Sequence, residues 1–289
     1  MLKQYKFDGS EKLNIKKIPT NAAEDKVERE EIEAKFSENL LKMEELQEKL
    51  YADGREGVIV VIQALDAAGK DSTIKHVMTG FNPQGVYVES FKVPSEEEAA
   101  HDFLWRIHRH VPERGDIVIF NRSHYEEVLT VQINDIHKGY RLAERVKNDS
   151  DQEFFKKRYR QIRDFEEYLY ENSYRIVKIY LNVSKSEQKE RFLERIERQE
   201  KNWKFNAGDL DVRDQFDTYL ETYEKVINET ATKHSPWYVI PADQKWYTRY
   251  LVSEIMLDLL KEIDPQFPEV SKEQIEAMEE SKNRLLEEK

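Results

Sequence analysis

The sequence contains no cysteine, which excludes disulfide bonds, thiolate zinc sites and cysteine nucleophiles. Long apolar runs are also missing. None approaches the roughly 20 residues of a membrane span, and the first six residues contain no apolar core of a signal peptide. Acidic residues outnumber basic ones by 58 to 46, a formal net charge of −12. Such a surface disfavours general binding to nucleic acids or anionic membranes. A cytoplasmic protein is therefore expected, and any polyanion must bind along a local basic track.

The chain nevertheless has enough apolar material for a sizeable core, since 39% of its 289 residues are hydrophobic, including 15 Tyr and 13 Phe. Short apolar runs predict five strands, and segments with helical periodicity lie between them. The runs cover residues 58–62, 86–91, 117–120, 175–181 and 237–240. Strands that alternate with helices of this length indicate βαβ units around a central parallel sheet.

Helical patterns also flank the sheet region. Apolar residues at three- and four-residue steps predict a helix over about residues 24–51, whereas residues 1–23 are polar and irregular. Ser271 and Gln274 form a capping box that opens a mostly charged helix near the C-terminus. We therefore predict an N-terminal tail and helical extension (1–53), a catalytic core (54–265) and a C-terminal helical extension (266–289).

The first predicted strand leads into a loop that ends in Gly69-Lys70 and then into a helix. In this context the backbone N–H groups at the helix start point toward an anion, and Lys70 is placed to reach a transferred phosphoryl group. The loop departs twice from the pattern G-x-x-x-x-G-K-[ST], because Ala64 replaces the first glycine and Asp71 replaces the hydroxyl residue. Its context still favours a phosphate-binding loop over an ordinary small-residue turn.

Asp66 lies inside this loop, four residues before Lys70. A carboxylate at that position repels bare phosphate unless a divalent cation lies between them. We interpret Asp66 either as a Mg²⁺ anchor or as a base that orients an attacking phosphate oxygen. A turn-capping aspartate is the purely structural alternative.

A second polar cluster follows the strand predicted at 117–120, and it begins with Asn121 and Arg122. Ligands of open α/β sheets bind at the carboxyl ends of strands, so Arg122 is expected to face the same crevice as Lys70. A guanidinium there can clamp phosphate and offset charge during phosphoryl transfer. Asn121 stands where many nucleotide-binding folds have aspartate, and it carries no charge.

These motifs together resemble the polyphosphate kinase 2 family, whose fold is a three-layer P-loop NTPase fold of the thymidylate-kinase-like type with a helical lid. Residues 64–70 match the family's loop, G-x-D-x-x-G-K, except at the first glycine. The resemblance covers about residues 30–262. Further matching segments are Asn82-Pro83-Gln84-Gly85, Ser90-Phe91-Lys92-x-Pro94, His101-Asp102-Phe103-Leu104-Trp105-Arg106, Pro112-Glu113-Arg114-Gly115, Asn121-Arg122-Ser123-x-Tyr125, Lys201-Asn202-Trp203-Lys204-Phe205 and Ser235-Pro236-Trp237.

The resemblance implies a phosphotransferase that moves phosphoryl groups between inorganic polyphosphate and nucleotides with Mg²⁺ or Mn²⁺. The combination of Asn121 with Glu126 resembles the family's third class, which phosphorylates both AMP and ADP. Asp66 would hold the metal and act with Lys70 and Arg122 as a catalytic residue. The implied nucleotide-side residues are Asn82, Lys92, Arg106, Asn121 and Glu126.

A polyphosphate chain needs a cationic groove on this acidic protein. The implied contacts at the loop are Ala67, Ala68, Gly69, Lys70, Asp71, Ser72, Thr73 and Lys75. Arg191, Arg195 and Arg198 fall at i, i+4 and i+7 and predict a positive helix face, although Glu–Arg pairs at i,i+4 there are also typical of a solvated helix. The family's lid falls on about residues 185–212, which favours Arg191, Arg198 and Lys204 as polyphosphate ligands. Lid closure would exclude water.

Two other functions remain open from the sequence. An ATP-dependent (d)NMP kinase of the same fold needs Lys70 and Arg122 but no long basic channel. A non-catalytic nucleotide-binding module predicts binding without turnover. The resemblance implies a homo-oligomer, and the amphipathic terminal helices are compatible with a dimer or a tetramer.

Overall fold

The structure is a computed structural model that describes residues 2–288; Met1 and Lys289, the outermost residues of the two predicted extensions, lie outside the described residues. Its centre is a six-stranded sheet with the order β1-β6-β5-β2-β4-β3. The strands are β1 (Lys6–Phe7), β2 (Gly57–Ala64), β3 (Val86–Ser90), β4 (Ile117–Asn121), β5 (Tyr174–Asn182) and β6 (Trp237–Pro241). Strands β2 to β6 run parallel, and β1 pairs antiparallel with β6. The five predicted strands and the parallel sheet are confirmed.

The apolar run in β2 explains why this strand lies in the middle of the sheet. All eight of its residues are buried. Val58, Val60 and Ile62 contribute to the core on one face, and Ile59 and Val61 contribute to the core on the other. Complete burial of such a side chain stabilises the fold by about 1.5–3 kcal/mol, so β2 needs apolar residues on both faces.

Helices cover both faces of the sheet and make a three-layer α/β fold. Helices α1 and α11 supply much of the core on one face, and α7 and α10 supply much of it on the other. The helices are α1 (Arg29–Asp53), α2 (Lys70–Val77), α3 (Glu96–Ala100), α4 (Trp105–His108), α5 (Thr130–Ile133), α6 (Glu144–Lys147), α7 (Asp151–Glu171), α8 (Lys185–Glu197), α9 (Gly208–Asp214), α10 (Phe216–Thr230), α11 (Lys245–Ile263) and α12 (Lys272–Glu287). Among residues 2–288, no helix combines the length and the apolar composition that a membrane crossing requires.

The N-terminal segment differs from the irregular tail that the sequence predicts. Residues 6–7 form an edge strand of the sheet, and Tyr5, Leu13 and Ile15 are buried. The Tyr5 hydroxyl donates a hydrogen bond to Asp25 Oδ2 (2.6 Å). These apolar residues follow no helical or strand period, so only the tertiary contacts reveal that the segment packs on the core.

The two ends of the chain differ in burial. Helix α1 contributes Ile32, Met43 and Leu50 to the core, whereas every residue of α12 is exposed. The predicted capping box is present, since Ser271 Oγ accepts a hydrogen bond from the Gln274 N–H (3.2 Å). The domain boundaries near residues 53 and 265 stay a prediction.

Candidate active site

Two predicted parts of the site meet at the carboxyl edge of the sheet. They are the loop that ends in Gly69-Lys70 and the segment that begins with Asn121 and Arg122. Strands β2 and β4 are parallel neighbours in which Ile62 pairs with Asn121. The Arg122 N–H donates to the Ile62 carbonyl (3.3 Å), so the chain leaves β4 beside the end of β2. The expected convergence of Arg122 with the loop after β2 is therefore observed.

The loop between β2 and α2 has the backbone geometry of an anion site. Ala67 and Gly69 have φ values of 65° and 102°, both in the left-handed region. In the described chain, the N–H groups of four successive residues lack a hydrogen-bond acceptor. They belong to Gly69, Lys70, Asp71 and Ser72. Free N–H groups at a helix start, together with the helix dipole, attract phosphate.

Two members of the predicted phosphate-contact set use their N–H groups within the protein. The Ala68 N–H donates to the Leu65 carbonyl (3.1 Å), and the Thr73 N–H donates to the Gly69 carbonyl (2.9 Å). The Thr73 side chain is also buried. The N–H groups of Ala68 and Thr73 therefore stabilise the loop, and contact of these two residues with phosphate stays a prediction.

Asp66, Arg122 and Glu126 form a charged cluster at the mouth of the loop. Arg122 Nη2 donates to Asp66 Oδ1 (2.8 Å), and Arg122 Nη1 donates to Glu126 Oε2 (3.4 Å). The same Glu126 oxygen accepts from Thr130 Oγ1 (2.8 Å). Burial lowers the pKa of Arg122, but Glu126 and Asp66 raise it above its ordinary value, so the guanidinium stays charged. Arg122 itself has a φ of 63°. Such left-handed backbone is costly for a residue with a side chain.

Lys70 lies beside this cluster. Burial lowers the pKa of its ammonium group, and the positive charge of Arg122 lowers it further, whereas Glu126 and Asp66 act in the opposite direction. Lys70 and Arg122 therefore bring two positive charges next to the free N–H groups of the loop, an arrangement that suits phosphate.

The donor groups in the crevice fit a hard divalent cation. Asp66 uses Oδ1 for Arg122, and across residues 2–288 its Oδ2 has no hydrogen-bond donor. Asn121 uses its Nδ2 to donate to Asp71 Oδ1 (3.1 Å), which leaves the Asn121 amide oxygen available. Burial raises the pKa of Asp209 on α9, and the negative charge of Asp66 raises it further, so this crevice favours additional positive charge. Mg²⁺ is usually held by one or two carboxylates plus phosphate oxygens, and this set matches that pattern.

One other group in the described chain has metal-ligand residue types, namely Asp135, His137 and Asp151. Lys138 Nζ lies 2.9 Å from Asp135 Oδ2 and 3.5 Å from Asp151 Oδ2. The ammonium group already neutralises these carboxylates, so we assign no metal to them.

The predicted nucleotide-side residues separate into two places. Asn121, Glu126, Lys92 and Arg106 lie at or near the carboxyl edge. The Phe91 N–H donates to the Asn121 carbonyl (3.1 Å), which puts the chain after β3 beside the end of β4, and Arg106 Nη1 donates to the Lys92 carbonyl (2.9 Å).

Asn82 lies elsewhere, and its role as a nucleotide ligand stays a prediction. It precedes the start of β3, where Val86 pairs with the first residue of β4, so it lies at the amino edge of the sheet. Five strand residues separate the two edges, roughly 17 Å at 3.3 Å per residue. The Asn82 carboxamide oxygen accepts from the Gln84 N–H (3.0 Å), and the Asn82 N–H donates to Gln47 Oε1 (3.0 Å). Asn82 therefore shapes a turn.

Arg191 also differs from its expected role, because it lies beneath the phosphate loop and is buried. Its Nη1 donates to the carbonyls of Ala67 (3.2 Å) and Ala68 (2.5 Å) in the loop. Its Nη2 donates to the carbonyls of Ala242 (2.7 Å) and Asp243 (2.9 Å), and its Nε donates to Glu187 Oε1 (2.7 Å). All five N–H groups are used within the protein. The side chain therefore supports the loop from below, and its contact with polyphosphate stays a prediction.

The remaining basic residues of the predicted track are exposed, namely Lys75, Arg198 and Lys204. Arg198 pairs with Glu194 (2.9 Å), and its Nε donates to Glu200 Oε1 (2.7 Å). Lys204 Nζ lies 5.0 Å from the centroid of the Trp203 ring. Their contact with polyphosphate stays a prediction.

The structure adds Arg249 of α11 to the site, a residue that sequence reasoning missed. Arg249 Nη2 donates to Ser72 Oγ (3.0 Å) in the first turn of α2, although 177 positions separate the two residues. Arg249 Nε is buried and has no acceptor in the described chain. No motif marks this arginine, because its neighbours in sequence are ordinary residues of a buried helix.

Together these features define a P-loop phosphotransferase. They are the parallel sheet, the phosphate-binding loop, the lysine beside it and the guanidinium between two carboxylates. The sequence profile described as "Polyphosphate kinase 2 (PPK2)" matches residues 26–268. The chain belongs to the polyphosphate kinase 2 family.

Similar proteins cover most of the chain. An ADP-polyphosphate phosphotransferase of Rhodopseudomonas palustris is 42% identical over 286 residues, 98% of each chain. An AMP/ADP-polyphosphate phosphotransferase of Meiothermus ruber is 49% identical over 228 residues, 79% of this chain and 80% of that one. The crystal structure of polyphosphate kinase 2 from Arthrobacter aurescens TC1 superposes with a TM-score of 0.84 at 33% identity and covers 93% of this chain and 92% of that chain.

Proposed function

We propose that the protein transfers phosphoryl groups from inorganic polyphosphate to AMP and ADP, with Mg²⁺ or Mn²⁺ bound at Asp66. The observation that carries the proposal is the Arg122 guanidinium held between Asp66 and Glu126 beside the phosphate loop. The names of the similar proteins from Rhodopseudomonas palustris and Meiothermus ruber support polyphosphate as the donor and ADP, or AMP and ADP, as acceptors.

The donor end of the site is formed by the loop. Its free N–H groups and Lys70 bind the terminal phosphates of the polyphosphate chain, and Arg122 offsets the charge that spreads over the transferred group. A phosphate oxygen of the acceptor nucleotide forms a bond to the terminal phosphorus while the bridging oxygen of polyphosphate leaves. The chain becomes one phosphate shorter. The divalent ion at Asp66 supplies further charge neutralisation when it is bound.

The acceptor side is formed by Asn121, Glu126, Lys92 and Arg106. Their position at the ends of β3 and β4 supports this assignment, since the crevice at the carboxyl edge is where such sheets bind nucleotides. Asn121 lacks the charge of an aspartate, and Glu126 lies next to Arg122. The combination supports the family's third class, which uses both AMP and ADP.

Beyond the loop, we expect the polyphosphate chain to follow the exposed basic residues Lys75, Arg198 and Lys204. Arg249 extends this track from α11, because its partner Ser72 belongs to the same first turn of α2. A homo-oligomer and a cytoplasmic location stay predictions, and light scattering of the purified protein tests the first.

The deciding experiment supplies AMP and polyphosphate with Mg²⁺ and no ATP, and it follows nucleotides by chromatography. We expect ADP first and ATP later. A Lys70→Ala variant is the control, because it retains the crevice but lacks the ammonium group. Absence of both products from the wild-type protein rejects the proposal. Product formation only after ATP is added as donor identifies an ATP-dependent nucleotide kinase instead, and nucleotide binding without turnover identifies a binding module.

A further inference from the structure

Gln188 of α8 is a buried amide that connects the predicted lid with the phosphate loop, and its side chain is 1% exposed. Its Nε2 donates to the Asp66 carbonyl (2.9 Å), and its Oε1 accepts from Arg213 Nη1 (2.7 Å). Arg213 lies in α9, just after the end of the predicted lid at about residue 212. It also donates to the Lys185 carbonyl (2.9 Å). The Gln188 amide therefore bonds the backbone of Asp66, the metal-anchor candidate, at one end and Arg213 of α9 at the other.

The contact belongs to a set that holds three successive carbonyls of the loop. Gln188 binds the Asp66 carbonyl, and Arg191, one turn further along α8, binds those of Ala67 and Ala68. Left-handed backbone at a non-glycine residue such as Ala67 is unfavourable and persists only where surrounding contacts fix it. Helix α8 supplies these contacts, so the conformation of the loop depends on where α8 lies.

We infer that Gln188 is a positioning residue that transmits the position of α9 to Asp66. The inference rests on the proposed function, in which Asp66 holds the metal. Arg122 fixes the Asp66 carboxylate from one side, and Gln188 fixes its peptide group from the other. Movement of α9 shifts Arg213, and Arg213 determines how the Gln188 amide is oriented. A lid displacement therefore reaches the catalytic carboxylate through two hydrogen bonds.

The substitution Gln188→Glu separates the two ends of this connection. It preserves size and still accepts a hydrogen bond from Arg213, but it loses the N–H donor to the Asp66 carbonyl. If Gln188 serves only to hold Arg213, the variant keeps normal turnover. If it positions Asp66, kcat falls about 10- to 100-fold, the scale of loss for a misplacement of about 1 Å. Glu190→Gln is the matched control, because Glu190 lies exposed on the same helix.

The test measures kcat and KM for AMP and for polyphosphate, together with melting temperatures, in Gln188→Glu and in Arg213→Ala. We expect kcat to fall more than either KM changes in both variants, since both substitutions break one connection. Normal kcat in Gln188→Glu overturns the inference.

If Gln188→Glu does not fold, Arg213→Ala decides the question, because it breaks the same connection nearer the surface. A normal kcat in that variant overturns the inference, and a reduced kcat at an unchanged melting temperature supports it. The two proposals fail differently. A wild-type protein without polyphosphate-dependent activity refutes the proposed function, whereas an active wild-type protein whose Gln188→Glu variant is equally active refutes only the role of Gln188.

Discussion

The buried ion pair between Lys178 of β5 and Glu166 of α7 offers the sharpest stability prediction. Lys178 Nζ lies 2.6 Å from Glu166 Oε2, and both side chains are 0% exposed. The other Glu166 oxygen accepts from the Tyr125 hydroxyl (2.7 Å), and His124 Nε2 lies 3.4 Å from it. Because His124 and Tyr125 lie two and three residues after Arg122, this pair lies underneath the active-site segment.

The substitution Lys178→Met leaves the Glu166 carboxylate buried without its main cation. Breaking a buried pair in this way costs about 3–5 kcal/mol. The direction of the Glu166 pKa agrees with this cost. Burial raises that pKa, but Lys178 and His124 lower it more strongly, from 4.5 to about 2, so the pair favours the charged carboxylate. For a chain of 289 residues, a loss of this size is expected to lower the melting temperature by about 5–8 °C.

The sign of the pH dependence provides an independent check. In the wild-type protein the pKa of Glu166 is lowered. The contribution of Glu166 to the free energy of unfolding is therefore present above pH 4.5 and is lost as the pH falls toward 2. In Lys178→Met, burial raises that pKa instead. The variant's deficit in unfolding free energy therefore grows as the pH rises above about 4.5.

Denaturant unfolding at pH 5 and pH 8 measures both effects, with the double variant Lys178→Met/Glu166→Leu as the control. Removal of both charges is expected to restore most of the stability. Both variants lack the hydrogen bond from Lys178 to the Thr230 carbonyl, so that loss cancels in the comparison. A deficit below about 1 kcal/mol, or one equal at both pH values, refutes the reasoning.

Four further predictions concern the active site. Asp66→Asn is expected to lower kcat by about 10²–10³-fold with an unchanged melting temperature, because it removes the carboxylate that we assign to the metal; retention of most turnover contradicts that role. EDTA is expected to abolish activity in the wild-type protein, and Mg²⁺ or Mn²⁺ to restore it. Glu126→Leu is expected to lower kcat/KM for AMP more than for ADP, and an equal loss counts against the third-class assignment. Arg191→Lys keeps the charge but loses at least two of the five hydrogen bonds. We therefore expect kcat to fall with little change in KM for polyphosphate. A change confined to that KM identifies Arg191 as a polyphosphate ligand instead.

Sequence patterns predicted the βαβ core because the relevant signals are local. A continuous apolar run such as residues 58–62 needs burial on both faces, and only the middle of a parallel sheet provides it. The loop at Asp66 and Lys70 and the segment at Arg122 were placed together by a general rule about strand ends. Val212, Phe216, Tyr219, Tyr223 and Val226 recur at helical spacing along the sequence, but the structure divides this stretch at Gln215 between α9 and α10.

What the sequence alone determined is therefore the set of elements, the phosphate loop and the family resemblance, since each is recorded in neighbouring residues. Tertiary structure alone decided the use of isolated polar residues. It placed Asn82 at the amino edge of the sheet, turned Arg191 inward to support the loop, and brought Arg249 and Gln188 to the phosphate loop. The physical reason is that a hydrogen-bonding side chain has no preferred partner until folding brings donors and acceptors together, and those partners are often more than a hundred residues away.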